Sequence, residues 1–298
     1  MRPDLICTAD IHARDDQPEC RTDDYMMAQI KAWDWLSDLQ EEHGCPIALA
    51  GDTLHHWKAS PSLLVQLLRH FPRSVYATIG QHDIRQHNLE TLDQSGMMVL
   101  SEADRITLLE EGVVESFEDF DLHSFPYGTT PRKISRPSSK PRVALCHLMT
   151  WHKETPFPGC TSDNATALLE RLQGFQLVVT GDNHIPFVVE DEGRFLVNPG
   201  SLLRFTAAQR QHRPRVYLWY ADQQKVKTVY APIDKTVVSR AHIETKEEVD
   251  KRIESFVKHL NTDWEVGLSF TRNMKSFLST NKGTNKRVQK RIWTMCEE

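Results

Sequence analysis

The chain has 298 residues, 39% of them hydrophobic, enough for one large domain with a smaller appendage. No apolar run approaches the roughly 20 residues of a membrane span, and six cysteines (Cys7, Cys20, Cys45, Cys146, Cys160, Cys296) show no CxxC spacing, which excludes zinc-finger and disulfide-framework classes. The net charge of −5 hides an asymmetry that becomes visible at the tail.

Leu5-Ile6-Cys7-Thr8-Ala9 reads as a strand that runs into Asp10-Ile11-His12. It leaves no room for a secretion leader, so a cytoplasmic protein is expected. A polar loop follows, then a helix in which Met26, Ile30, Trp33 and Leu36 or Leu39 recur at helical spacing. Ile47-Ala48-Leu49-Ala50 is a second strand, ending at Gly51-Asp52, and His55 and His56 stand in the loop after it. Ser60-Pro61 opens a helix as N-cap and first-turn proline, with Leu63, Leu64, Leu67, Leu68 and Phe71 as its apolar face. A third strand, Val75 to Ile79, delivers Gly80-Gln81-His82-Asp83. This β-α-β-α-β order predicts parallel strands with helical crossovers.

From Ile106 to Tyr127 the pattern changes to short strands, and Thr129 to Pro141 is a surface loop rich in Pro, Ser and basic residues. Val143-Ala144-Leu145-Cys146 then leads to His147, a helix is predicted over 163–172, and Leu177-Val178-Val179-Thr180 leads to Gly181-Asp182-Asn183-His184. Four later segments, starting at Phe187, Phe195, Val216 and Val226, read as an antiparallel set. Asn198-Pro199-Gly200-Ser201 among them is a turn whose glycine lets backbone come close to a ligand. A small second domain is expected from 233 to 298, after a main domain over 1–232. Its elements are a helix introduced by the capping-box pattern at Thr245 and a strand from Trp264 to Phe270. Seven of the 36 basic residues lie between Thr271 and Thr294 with no acidic residue among them, leaving 29 basic against 41 acidic elsewhere, or −12. An acidic body with a basic tail suits a polyanion or an acidic partner. Lys282, Lys286, Arg287, Lys290 and Arg291 are the candidate nucleic-acid contacts.

Five strands thus end in carboxylate, imidazole or amide groups, where open α/β sheets place their ligand sites. The pooled set is Asp10, His12, Asp52, Gln81, His147, Asp182 and His184. Carboxylates packed this closely repel unless cations sit among them, and the mixed oxygen and nitrogen donors suit divalent transition metals. Seven groups are too many for one ion and suit two metals clamping a phosphoryl displacement.

In these residues the sequence resembles the calcineurin-like metallophosphoesterase superfamily, whose pattern is DxH, GD, GNH(D or E), H and GHxH. The DNA-repair nuclease branch of the SbcD type is the nearest in kind, through His55 three residues after Asp52, the Arg21-x-x-Asp24 pair and a small domain after the core. The resemblance implies a four-layer α/β sandwich of two mixed β-sheets flanked by helices, with a small C-terminal α+β appendage. It implies one metal on Asp10, His12 and His184, another on Gln81, His147 and Asp182, and Asp52 between them. His82 would act on the substrate with Asp83 orienting it, and His55 would complete the catalytic set. It also implies a nuclease subunit acting on DNA with an SMC-like ATPase partner; a homodimer is open. Two positions depart from the pattern. Gln81 stands for Asn and Asp182 for the first His of GHxH, a more oxygen-rich set that favours Mn2+ or Mg2+ over Zn2+. The alternatives are a small-molecule or cyclic-nucleotide phosphodiesterase of the same superfamily, and a degenerate, non-catalytic binding subunit.

Overall fold

The computed structural model describes residues 2–155, 159–244, 251, 253, 270–280, 283 and 285–297. Two compact units divide the chain, Met1–Ser239 and Arg240–Glu298.

The first unit is built on two mixed sheets. In sheet I, β1 (Leu5–Thr8), β2 (Ile47–Ala50), β3 (Val75–Thr78) and β4 (Ile106–Leu108) run parallel. Sheet II holds β5 (Val114–Ser116), β6 (Asp121–Phe125), β7 (Arg142–Cys146), β10 (Leu177–Thr180), β11 (Phe187–Asp191) and β12 (Arg194–Asn198). Sheet I is completed by β13 (Arg215–Tyr220) and β14 (Lys225–Tyr230), giving the order β14-β13-β1-β2-β3-β4, against β11-β12-β10-β7-β6-β5 in sheet II. A short ribbon pairs β8 (Thr150–Trp151) with β9 (Asp163–Asn164).

The period-2 geometry of the strands sorts their side chains into three cores. From β1 and β2, Ile6, Ile47 and Leu49 face the helices α1 (Tyr25–His43), α2 (Pro61–His70) and α3 (Gly96–Glu102). Their neighbours Leu5, Cys7, Ala48 and Ala50 face sheet II, where Val143, Leu145, Leu177 and Val179 meet them. Ala144, Cys146 and Val178 point the other way, onto α4 (Ala165–Arg171). Being covered on both faces is why these strands read as unbroken apolar runs. The result is the expected sandwich, helices over sheet I and sheet II over α4.

Local rules set the helix ends. Asp24 accepts from the Met27 amide at 3.0 Å to start α1, and Ser60 accepts from the Leu63 amide at 3.1 Å to start α2. Each such cap stabilises by about 1 kcal/mol. Residues 81–94 form 3-10 turns and 96–102 form α3, where the sequence predicts no element. Gly96-Met97-Met98-Val99-Leu100 is apolar without a helical period, and the Ser95 cap alone marks its start. The helix predicted over 163–172 begins later, because Asp163 and Asn164 pair with β8 and the Asn164 side chain caps α4. The four late strands are not one antiparallel set. β11 and β12 form a hairpin that joins sheet II through a parallel pairing with β10, whereas β13 and β14 form one that joins sheet I against β1.

In the second unit, α5 (Phe270–Thr280) and α6 (Lys286–Glu297) are described. Lys251 and Ile253 are helical, but the remainder of the helix predicted from Thr245 and the strand predicted from Trp264 lie outside the described residues, apart from Phe270, which opens α5. Among the described residues no helix is long and apolar enough to cross a membrane.

Candidate metal centre

The predicted metal ligands and His82 lie at or just beyond the C-terminal end of a parallel strand: Asp10 and His12 after β1, Asp52 after β2, Gln81 and His82 after β3, His147 after β7, Asp182 and His184 after β10. Loop amides stitch these ends together. His12 N–H donates to the Asp52 carbonyl at 2.9 Å, His55 N–H to the Ala13 carbonyl at 2.9 Å, and His147 N–H to the Phe125 carbonyl at 3.0 Å. Four of the residues hold left-handed backbone, Asp10 at φ 50°, His12 at 47°, Asp52 at 50° and Asp182 at 73°. Each such residue costs on the order of 1–3 kcal/mol, and this kind of strain gathers at functional sites. Two glycines permit the close packing. A Cβ on Gly51, itself at φ 79°, would lie 2.2 Å from His147 Nδ1, and one on Gly80 would lie 2.1 Å from Asp52 Oδ1.

The two central carboxylates are used alike. Asp10 Oδ1 accepts from the Asp182 amide at 3.0 Å, and Asp52 Oδ1 accepts from the His82 amide at 2.9 Å. The other oxygen of each, Asp10 Oδ2 and Asp52 Oδ2, is buried without a hydrogen-bond partner. Asp52 Oδ2 lies 3.6 Å from His12 Nε2 and 3.5 Å from His147 Nε2. His12 Nε2 and His184 Nε2 are 3.1 Å apart. Two ring nitrogens that close either share a proton or face one ion. His147 Nδ1 donates to the Ala50 carbonyl at 2.7 Å, which turns Nε2 into the site in the way that orients metal-binding imidazoles.

Electrostatics follow from burial. It pushes the Asp10 carboxyl well above its ordinary value, against the pull of His147 and with the push of Asp52. It holds His12 well below the usual imidazole value, and His184 below it. Burial also opposes charge on Asp52 and His147, yet each offsets it for the other. The Asp52 carboxyl sits below the usual range, and His147 is raised to about 10. A buried carboxylate oxygen with no donor costs several kcal/mol. A divalent cation relieves that cost at both Asp10 Oδ2 and Asp52 Oδ2, so the donor set fits a metal.

Among the described residues, the clusters of His, Cys and carboxylate groups that could hold an ion are Asp10 with His12 and His184, Asp10 with Asp52 and His147, and His12 with His55 and His82. The first is the predicted triad. The second brings together Asp52 and His147 but takes Asp10 in place of Asp182. Gln81 spans the gap: His147 Nε2 donates to its Oε1 at 2.6 Å, and its Nε2 donates to Asp182 Oδ1 at 2.6 Å.

His82 stands beside the cluster, its ring 5.0 Å from that of His12 and stacked on His55 at 5.6 Å. Its Nδ1 faces the His55 carbonyl at 3.0 Å. The Asp83 side chain, expected to orient His82, makes its bonds to backbone. Asp83 is fully buried and spends both oxygens on backbone, accepting from the Leu54 amide and the Gly80 amide at 2.9 Å each. The same burial raises its carboxyl to about 7, with Asp52 adding to the rise. His55 is likewise lowered to about 4 by burial and the nearby Arg14. The Arg21 and Asp24 pair is structural: Arg21 binds Asp23 at 2.7 Å, and Asp24 caps α1. Lys282 lies outside the described residues, whereas Lys286, Arg287, Lys290 and Arg291 are exposed on α6.

Two contributors escaped the sequence. Phe205 sets its ring edge-on to His12 at 5.0 Å and His184 at 5.3 Å, and nothing in its neighbourhood has a period that signals this. Asn198 donates to the carbonyls of Asn183 at 2.6 Å and Ile185 at 2.8 Å, clamping the loop on both sides of His184. The Asn-Pro-Gly-Ser turn was its signal, but the close approach made by Gly200 is to this loop, since a Cβ there would lie 2.6 Å from the His184 carbonyl.

No family model matches the sequence, and no curated protein matches it significantly. Solved structures similar to the chain trace include the protein TT1561 of Thermus thermophilus, at 12% identity and TM-score 0.48 over 77% of this chain and 99% of that one. A novel archaeal phosphodiesterase is similar at 10% identity and TM-score 0.42, over 76% of this chain and 99% of its own. A metallophosphoesterase from Sphaerobacter thermophilus is similar at 12% identity and TM-score 0.37, over 77% and 89%.

Proposed function

We propose that the chain is a metal-dependent phosphodiester hydrolase acting on DNA, a nuclease subunit of the SbcD kind that works with an SMC-like ATPase. The observation that carries the hydrolase reading is the pair of buried carboxylate oxygens without a hydrogen-bond partner, Asp10 Oδ2 and Asp52 Oδ2, the latter flanked by imidazole nitrogens, at the ends of parallel strands. Asp10, His12 and His184 would hold one ion, and His147, Gln81 and Asp182 the other, with Asp52 shared. The oxygen-rich second set favours Mn2+, with Mg2+ next. Bound divalent ions supply positive charge to a phosphoryl group and lower the pKa of water.

The chain's own groups do the rest. With Nδ1 held by the His55 carbonyl, His82 presents Nε2 to the cleft, placed to give a proton to the leaving oxygen. Phe205 shields one side of His12 and His184 from solvent. The exposed cations of α6 recur at positions 286, 287, 290 and 291, one side of a helix, and suit a phosphate backbone. A one-ion site is the second reading. The Gln81 side chain joins His147 to Asp182 by hydrogen bonds that a second ion has to displace.

The test is a panel of DNA, cyclic nucleotides and an aryl phosphodiester, each assayed with Mn2+, Mg2+ and Zn2+ alongside measured metal content. Mn2+-dependent DNA cleavage with two bound ions is the expected result. Cleavage confined to the small esters would select the small-molecule phosphodiesterase, and no turnover with one ion or none would select the non-catalytic subunit.

A further inference from the structure

Beside the metal centre, and separate from it, lies a cavity of about 250 Å3 bounded by Arg204, Arg210, Arg213, Lys235 and His212, with no carboxylate in its lining. It adjoins the site through the chain itself. Phe205 packs on the site imidazoles while the preceding residue, Arg204, turns into the cavity, and His212 Nε2 donates to the Ser201 carbonyl at 2.7 Å on the turn that pairs with Ala9. Arg204 is 2% exposed, so its guanidinium has given up almost all of its hydration. It donates to the main-chain carbonyls of Arg210 and Asp234, and the Asp23 and Asp234 carboxylates act on its charge without bonding it. The Asp234 carboxylate accepts at Oδ1 from the Thr236 amide and hydroxyl at 2.9 Å and 2.6 Å, and these bonds, with Arg204 and Arg21 nearby, hold it below the usual carboxylate value. Arg21, which donates to the Arg204 carbonyl, adds a second positive charge nearby, partly answered by Asp23. A buried cation bonded to carbonyl dipoles, its charge offset only in part by the nearby Asp23 and Asp234 carboxylates, is a costly arrangement, and an anion drawn from solvent relieves it. Planar guanidinium groups bind phosphate oxygens two at a time, which makes a phosphoryl group the fitting anion. The cavity is smaller than the roughly 300–1,000 Å3 of pockets that enclose whole small molecules, so it suits the phosphoryl group and not an entire nucleotide.

We propose that this cavity is a phosphate-binding site, in which Arg204, Arg210, Arg213 and Lys235 hold a phosphoryl group next to the metal centre. On the reading of the chain as a nuclease, the group belongs to the substrate strand, a phosphate beyond the one cleaved; a free phosphate monoester shares the same chemistry. The test uses the full chain with Mn2+ and three versions: wild type, Arg210→Ala with Lys235→Ala, and Lys225→Ala with Lys227→Ala. The last pair makes the same charge change at exposed positions on β14, away from the cavity. Arg210 and Lys235 are also exposed, so their removal leaves the fold in place.

Calorimetric titration with inorganic phosphate separates the cavity from the metal centre, which contributes equally in all three versions. The expected result is about tenfold weaker binding of one phosphate in the cavity variant, equivalent to roughly 1.4 kcal/mol, with the control unchanged. A parallel titration with a single-stranded oligonucleotide identifies the source. If the phosphate sits on the strand, the log-log salt slope falls by about 0.7 in the cavity variant. Weakened phosphate binding with an unchanged slope supports the site and assigns it to a free phosphate monoester. The phosphate arm stands even if the wild type cleaves no DNA. Equal phosphate binding by the cavity variant and the control overturns the proposal.

Discussion

Asp10 and Asp52 do the same work from neighbouring strands, each anchoring a backbone amide with one oxygen and leaving the other buried without a partner. Asp52→Asn replaces an anionic oxygen between two imidazoles with an amide of the same shape. It is expected to cut metal content sharply along with activity, read by elemental analysis beside the rate. His82→Ala separates the two effects. Its ring touches the cluster from the side and its Nδ1 is held by a carbonyl, so metal content should stay near wild type while the rate falls on the order of a hundredfold to a thousandfold. Parallel loss of metal and rate in this variant would place His82 among the ligands. Asn198→Ala tests a residue the sequence did not assign. It leaves the buried Asn183 carbonyl without its donor, a cost of about 1–3 kcal/mol, and removes a second bond to the part-buried Ile185 carbonyl. A lower melting temperature and weaker Mn2+ binding are expected, with wild-type values in both showing that the clamp does not position His184. At this scale the ligand candidates were legible because polar side chains directly after apolar strands stand out. The backbone partners of Asp83 were not legible, since a carboxylate that accepts from the Leu54 amide, 29 residues earlier, leaves no mark in a motif.

The strand ends explain why residues far apart in sequence meet. β3 delivers Gln81 and β10 delivers Asp182, and the 2.6 Å hydrogen bond between them couples the two positions that depart from the pattern the sequence resembles. Restoring the pattern one residue at a time should lower activity, Asp182→His by crowding a still-long Gln81, whereas Gln81→Asn with Asp182→His should recover it with greater tolerance of Zn2+. In a double-mutant cycle the coupling expected of such neighbours is about 0.5–3 kcal/mol, and an additive cycle in an active enzyme would show that the pair is not compensatory. The parallel β1-β2-β3 order and its crossovers were legible because apolar runs, caps and Pro61 agree on the same elements. The partition of the late hairpins between sheets was not. Alternation shows that β11 to β14 are strands, but which sheet each joins depends on pairing with β10 and β1, as far apart in the second case as Leu5 and Trp219.

For the whole molecule, the apolar cores were legible as composition, while the meeting of two sheets through small side chains such as Ala48 and Ala50 was not, since alanine carries no strong preference for either face. The charge asymmetry of the sequence puts the polyanion-binding prediction in the second unit. Deleting the chain from Thr271 should weaken DNA binding and flatten its salt dependence, each lost phosphate contact removing close to 0.9 from the log-log slope on duplex DNA. Hydrolysis of a small aryl phosphodiester should persist, and unchanged DNA affinity together with unchanged partner binding would leave the tail without a role in recognition. The central claim is that the strand-end cluster binds divalent metal. It is tested most directly by crystals of the full chain grown with Mn2+ and measured at the manganese absorption edge. The expected result is an anomalous peak among Asp10, His12 and His184, with a second beside Asp52 and His147 and Gln81 turned from its hydrogen bonds to face it. A map with no anomalous peak at these residues, from protein that saturates with Mn2+ in solution, contradicts a metal centre here.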